Sequence, residues 1–79
     1  MNLPLQADQT LDARGLKCPL PILRTKKALA TLQSGQILYV QTTDKGACDD
    51  FPAFAQQTGN TLLAHTAHND HDEFWLQRR

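Results

Sequence analysis

The chain has 79 residues, 41% of them hydrophobic, and 8 Lys+Arg balance 8 Asp+Glu. A chain this short buries only roughly 60% of the surface its unfolded form exposes, so one domain over residues 1–79 with a modest aliphatic core is expected. Zero net charge argues against a nucleic-acid partner, and no apolar run approaches the roughly 20 residues that span a bilayer.

The charge is nonetheless uneven. Residues 1–43 carry Arg14, Lys17, Arg24, Lys26 and Lys27 against Asp8 and Asp12, while residues 44–79 are net acidic. Positive charge is thus expected around Cys18. The start, Met1-Asn2-Leu3-Pro4, lacks the basic and apolar regions of a signal peptide, so a cytoplasmic address is expected. In that reducing compartment Cys18 and Cys48 are expected to be free or catalytic thiols, not a structural disulfide.

Residues 1–8 read as a loosely ordered lead. Gln9 to Ala13 alternates, with Leu11 and Ala13 on one face, and is predicted to be a strand. Gly15 then permits a tight turn. From Cys18 the period changes: Ile22, Thr25, Leu29 and Leu32 recur at helical spacing, with Ala28 on the same face. This predicts a helix starting at Cys18, with Pro19 at its first position, Pro21 still in the first turn, and Ser34-Gly35 closing it. Ile37 to Thr42 reads as a buried central strand, and Asp44-Lys45-Gly46 as a turn. A second helix is predicted from about Asp49 or Asp50, either of which could cap it, with Pro52 in its first turn. Phe51, Phe54, Ala55 and Thr58 form its apolar stripe, and Gly59-Asn60 end it. Thr61–Thr66 and Phe74–Arg78 are the last two strands, joined by a polar turn. The order βαβαββ predicts an α+β fold, a two-layer α/β sandwich with two helices on one face of a four-stranded mixed sheet.

In such a sheet the ends of the first two strands share an edge with the starts of both helices, and ligand chemistry gathers there. Cys18, as N-cap or first residue of helix 1, would feel the helix dipole, with Lys17 and Arg14 adding positive charge. With Pro21 lacking an N–H, only Leu20 could donate to its sulfur, so a modestly activated thiol is expected. Cysteine is a poor N-cap, so stability alone would not select it at this position.

The stretch Leu11-Asp12-Ala13-Arg14-Gly15-Leu16-Lys17-Cys18-Pro19-Leu20-Pro21 resembles the signature of the TusA/SirA-like sulfur-carrier family, whose hallmark is Cys-Pro-x-Pro opening the first helix. The resemblance continues through Thr42-Thr43-Asp44-Lys45-Gly46, Asp50-Phe51-Pro52-Ala53-Phe54 and Gly59 to the closing aromatic and basic strand. It implies a similar fold and a carrier role for Cys18. The thiol would accept sulfur as a persulfide from a cysteine desulfurase or rhodanese-like donor and hand it to an acceptor protein. Arg14, Gly15, Lys17, Pro19 and Pro21 would support that thiol, and no cofactor is implied. Carriers devoted to tRNA 2-thiouridine synthesis usually resemble Cys-Pro-Glu-Pro, and Leu20 replaces that acid here. Many relatives carry a cysteine after the Phe54 equivalent, where this chain has Ala55. Sulfur oxidation, tRNA thiolation, molybdenum cofactor maturation and thiosulfate use all stay open.

Cys48 is expected on the same edge, as a second, resolving thiol or as a small residue tucked against its loop. His65, His68 and His71, with Asp70 and Asp72 nearby, do not follow metal-ligand spacing, so no metal site is expected. Arg24, Lys26 and Lys27, with Asp44, are candidate partner-facing residues; the resemblance places Lys26 at such a position. Asp12 is expected to cap the turn before Cys18, and Trp75, Phe51 and Phe54 to lie in the core. Two competing functions remain: a thiosulfate or thiol sulfurtransferase using Cys18 with Cys48, and a non-covalent RNA-binding or regulatory module. The absence of interleaved aromatic and basic residues weighs against RNA. A transient carrier is most simply a monomer.

Overall fold

The computed structural model describes residues 6–79, so the first five residues of the expected lead lie outside it. The elements are β1 (Gln9–Ala13), α1 (Leu20–Ala30), β2 (Ile37–Thr42), α2 (Ala47–Thr58), β3 (Thr61–Ala67) and β4 (Asp72–Gln77). They form the expected mixed sheet, in the order β1-β2-β4-β3. β1 and β2 are parallel, with Leu11 beside Val40, whereas β4 is antiparallel to both β2 and β3. A bulge between Leu62 and Ala64 leaves Leu63 out of the β3–β4 register. Asp8, the end of the expected lead, is pinned: its N–H donates to the Ile37 carbonyl, and its carboxylate accepts from Ile37 N–H, both at 2.8 Å.

Period-two burial sorts the strands. Leu38, Val40, Phe74 and Leu76 are 0% exposed and meet the helices, with α1 over β1 and β2, and α2 over β3 and β4. Phe51 of α2 stacks on Phe74 with ring centroids 4.4 Å apart. Phe51 and Phe54 belong to the main core cluster, as expected. Trp75 is buried too, but on the other sheet face, against Tyr39 at 4.9 Å. The neighbour that covers it is therefore a ring across the strand pair, not a helix.

Both helices depart from their expected limits. α1 ends at Ala30, short of Ser34-Gly35, because the Thr31 hydroxyl and N–H both turn back to the Ala28 carbonyl, at 2.6 and 3.1 Å. Gly35 instead meets the end of the chain, donating its N–H to the Arg78 carbonyl at 2.8 Å. α2 starts earlier than expected, at Ala47, whose side chain is only 1% exposed in the core. Gly46 is its N-cap, so Asp49 and Asp50 lie in the first turn and cap nothing, and Pro52 lies inside the helix. Gly59 ends α2 at φ +80°, the left-handed conformation that favours glycine. No helix among the described residues is long and apolar enough to cross a membrane.

Candidate functional site

Because β1 and β2 run parallel, the loops leaving their C-terminal ends share one sheet edge. A direct bond ties them: Gly15 N–H donates to Thr43 Oγ1 at 2.8 Å, with Gly15 at φ +82°. Between the loops opens a cleft of about 480 Å³, lined by Gly15 to Cys18 on one side and by Thr43, Asp44 and Lys45 on the other. Thr42 Oγ1 steadies the second loop by accepting the Asp44 N–H at 3.1 Å.

Cys18 lies in the turn before α1, not on the helix. Leu20 is the first helical residue, Pro19 is the N-cap without any side-chain capping bond, and Pro21 is in the first turn with its ring buried. The backbone explains the shift. Leu20 N–H donates to the Lys17 carbonyl at 2.8 Å, and the Pro19 carbonyl accepts Leu23 N–H at 3.0 Å. The one donor that the sequence left for the Cys18 sulfur is therefore used to close the turn. The Cys18–Pro19 peptide is cis.

The electrostatics also reverse the expectation. The Cys18 thiol is pushed above its ordinary value of 9.0, first by the water it loses to the surrounding loops, then by the charge and hydrogen bonding of Asp50, then by Asp44. One ligand atom from each of Cys18, Asp44 and Asp50 lies within 4.8 Å of the others. Arg14 does not offset them, because its guanidinium forks onto Asp12 at 2.9 and 3.0 Å. Hydrogen bonding from that side chain and from Arg14 N–H holds the Asp12 carboxyl at about 2, so Asp12 caps the turn as expected. Lys17 lines the cleft on the Cys18 side.

Cys48 lies within the first turn of α2 and not in the loop before it. Its sulfur faces His65 Nε2 at 3.9 Å, and the same nitrogen pairs with Asp72 Oδ1 at 3.0 Å. Both cysteines are free and exposed. Of the candidate partner-facing residues, Asp44 reaches the cleft, and Arg24 and Lys27 are exposed on α1. Lys26 lines a separate hollow of about 160 Å³ with Leu29, Phe54, Arg78 and Arg79. Sequence reasoning missed Thr43, which lines the cleft, and Asp50, which meets the Cys18 thiol. Thr43 was legible only as part of the resemblance, and Asp50 only as part of it and as a candidate helix cap.

A family model described as Sulfurtransferase TusA matches residues 9–78. The chain belongs to the TusA family. Sulfur carrier protein TusA of Allochromatium vinosum is 62% identical over 56 residues, covering 71% of this chain and 74% of that protein. YrkI of Bacillus subtilis is 50% identical over 74 residues, covering 94% of this chain and 99% of YrkI. The crystal structure of a SirA-like protein from Desulfitobacterium hafniense superposes with a TM-score of 0.76 at 28% identity, covering 87% of this chain and 95% of that one. The two-layer βαβαββ arrangement of this TusA-family chain is thus shared with a solved structure. Its match to the family model takes in the Cys18 turn, the Thr43–Lys45 loop and both helices.

Proposed function

We propose that this TusA-family chain is a sulfur carrier in which Cys18 Sγ takes a sulfur atom from a donor protein and relays it to an acceptor protein. The observation that supports the reading is the placement of Cys18: an exposed thiol on a turn, at the mouth of an open cleft, on the sheet edge where such folds gather chemistry. In the loading step the Cys18 thiolate attacks the outer sulfur of a donor persulfide. A new S–S bond forms with the electron pair of Cys18, the donor's own S–S bond breaks, and the donor cysteine leaves as thiolate. Delivery repeats the exchange, with an acceptor nucleophile attacking the outer sulfur of the Cys18 persulfide. Neither step needs an external oxidant or reductant. A reducing compartment such as the cytoplasm would keep both cysteines available.

The raised thiol pKa gives the donor a part in activation. Free in solution, Cys18 stays mainly protonated and reacts slowly with stray electrophiles. A donor that brings a cation against Asp44 and Asp50 would remove the charge that disfavours the thiolate. Leu20 and Leu23, 43% and 52% exposed just beyond Cys18, offer that partner an apolar foothold, with Arg24 and Lys27 on the same helix. A cysteine desulfurase or a rhodanese-like protein has the persulfide chemistry required of a donor.

The test is intact mass after incubation with a cysteine desulfurase and cysteine, or with thiosulfate and a rhodanese. A reductant-labile gain of one sulfur in the parent chain, absent in Cys18→Ser, is expected. A gain that persists in Cys18→Ser, or none with any donor, would overturn the reading. Retained release kinetics in Cys48→Ser would leave Cys18 as the sole working thiol; slowed release would give Cys48 the resolving role.

A further inference from the structure

We propose that His68, His71 and Glu73 form a binding site for one divalent transition-metal ion of the zinc type, on the turn that joins β3 to β4. None of the three lines the Cys18 cleft, so the site is separate from the sulfur-bearing edge residues.

In sequence the two histidines and the acid are spaced 3 and 2 apart, which matches no helical ligand pair. The hairpin turn changes that. His68 N–H donates to the His71 carbonyl at 2.9 Å, and this closure brings both imidazoles to one side. The rings stack with centroids 4.6 Å apart. Glu73, on the following strand, then meets both: His68 Nε2 lies 2.9 Å from Oε1, and His71 Nε2 lies 3.6 Å from Oε2. Among the described residues, one nitrogen from each histidine and one oxygen of Glu73 lie within 4.8 Å of one another. A tetrahedral zinc ion with bonds of about 2.0–2.1 Å to nitrogen and oxygen holds its ligand atoms roughly 3.3 Å apart. The 2.9 Å from His68 Nε2 to Oε1 is close to that value, and His71 Nε2, 3.6 Å from the carboxylate's other oxygen, Oε2, is drawn toward the ion on binding.

The groups behind these ligand atoms are in place as well. His71 Nδ1 sits 2.8 Å from Asp70 Oδ1, so with Nδ1–H donating to Asp70 the lone pair of Nε2 points away, toward Glu73. A carboxylate behind a histidine is the usual device for fixing ring orientation and tautomer at a metal. Tyr39, from β2, donates its hydroxyl to Glu73 Oε2, which fixes the carboxylate and leaves Oε1 for the ion. Side chains of His71 and Glu73 are only 17% and 19% exposed, so their orientations are constrained before an ion arrives, while His68 at 42% leaves an entry path. Three protein ligands leave one position for water or a further donor. Two imidazoles and one carboxylate suit zinc, nickel or copper, and not calcium or magnesium, which prefer oxygen throughout.

The test is calorimetric titration of Zn²⁺ into the metal-free full chain carrying Cys18→Ser and Cys48→Ser, so that thiolates contribute nothing. One ion per chain is expected. His68→Ala and His71→Ala should each weaken binding by more than about tenfold, and Asp70→Asn by about tenfold, the usual scale for a carboxylate that orients a ligating histidine. His65→Ala, which pairs with Asp72 elsewhere, should leave the affinity unchanged. Circular dichroism of each variant verifies the fold, and ring proton shifts of His68 and His71 on addition of Zn²⁺ to the parent double variant give a readout independent of the substitutions. No saturable binding, or binding insensitive to His68→Ala and His71→Ala, would overturn the proposal. So would binding lost in His65→Ala.

Discussion

Thr25 faces the sheet from the middle of α1 with 0% exposure, and among the described residues its hydroxyl oxygen has no hydrogen-bond partner. A buried, unpartnered hydroxyl costs about 1–3 kcal/mol, because it has given up water and gained nothing in exchange. Valine has nearly the same shape, a similar helix propensity and a methyl group where threonine carries oxygen. Thr25→Val should therefore stabilise the fold by about 1–2 kcal/mol. For a chain of this length each kcal/mol raises Tm by roughly 4–8 °C. Thermal and urea unfolding read the change, with an unaltered urea slope showing that the same surface is exposed on unfolding. Thr25→Ser is the counterpart: it keeps the unpartnered oxygen and deletes a buried methyl, so it should lose about 1 kcal/mol. Alkylation of Cys18 at fixed pH should be the same in both, since Thr25 acts on the helix and not on the thiol. A lower Tm in Thr25→Val would refute the reasoning, for it would mean that the hydroxyl is bonded and worth keeping.

Alkylation of Cys18 should rise with pH through the neutral range without levelling off below the ordinary thiol value of 9.0, and Asp50→Asn should move that profile toward lower pH. A profile that levels off near about pH 7, or one unmoved by Asp50→Asn, contradicts the carboxylate account. Gly59→Ala should cost about 1–3 kcal/mol in urea unfolding, because the new Cβ would sit at φ +80° and 3.1 Å from Arg79 Cδ. Gly59→Asn, which tolerates that backbone, should cost less; equal losses would assign the cost to crowding by Arg79 and not to the backbone.

What the sequence made legible was set by local periodicity. Ala13, then Leu38, Val40 and Thr42, and then Thr25, Ala28, Leu29 and Leu32 are buried as their spacing predicts, whereas Leu11, Ile22, Ile37 and Tyr39 are only partly covered. Helix limits were less legible, because they depend on single hydrogen bonds that compete with composition. Ser34-Gly35 looks like a helix end, yet the Thr31 hydroxyl had already closed the helix. Asp49 and Asp50 look like caps, yet packing of Ala47 into the core drew the helix start back past them. Trp75 was rightly expected to be buried, but period alone could not say that Tyr39 across the strand pair, and not a helix, would cover it.

The error at Cys18 has a topological cause. Its neighbours in sequence are basic, and that predicted a thiol in positive surroundings. A parallel β1–α1–β2 unit, however, sets the loop after β1 against the loop after β2. That second loop and the helix it enters belong to the acidic half of the chain, so Asp44 and Asp50 arrive at the sulfur from across the fold. Meanwhile Arg14 is drawn back onto Asp12, two residues away, by a two-pronged bond that geometry favours over any longer reach. Charge along a chain therefore says little about charge around a residue wherever a crossover intervenes. In the carrier role proposed for Cys18, lost hydration and then the two carboxylates disfavour the thiolate, and a partner that meets those carboxylates with positive charge would favour it.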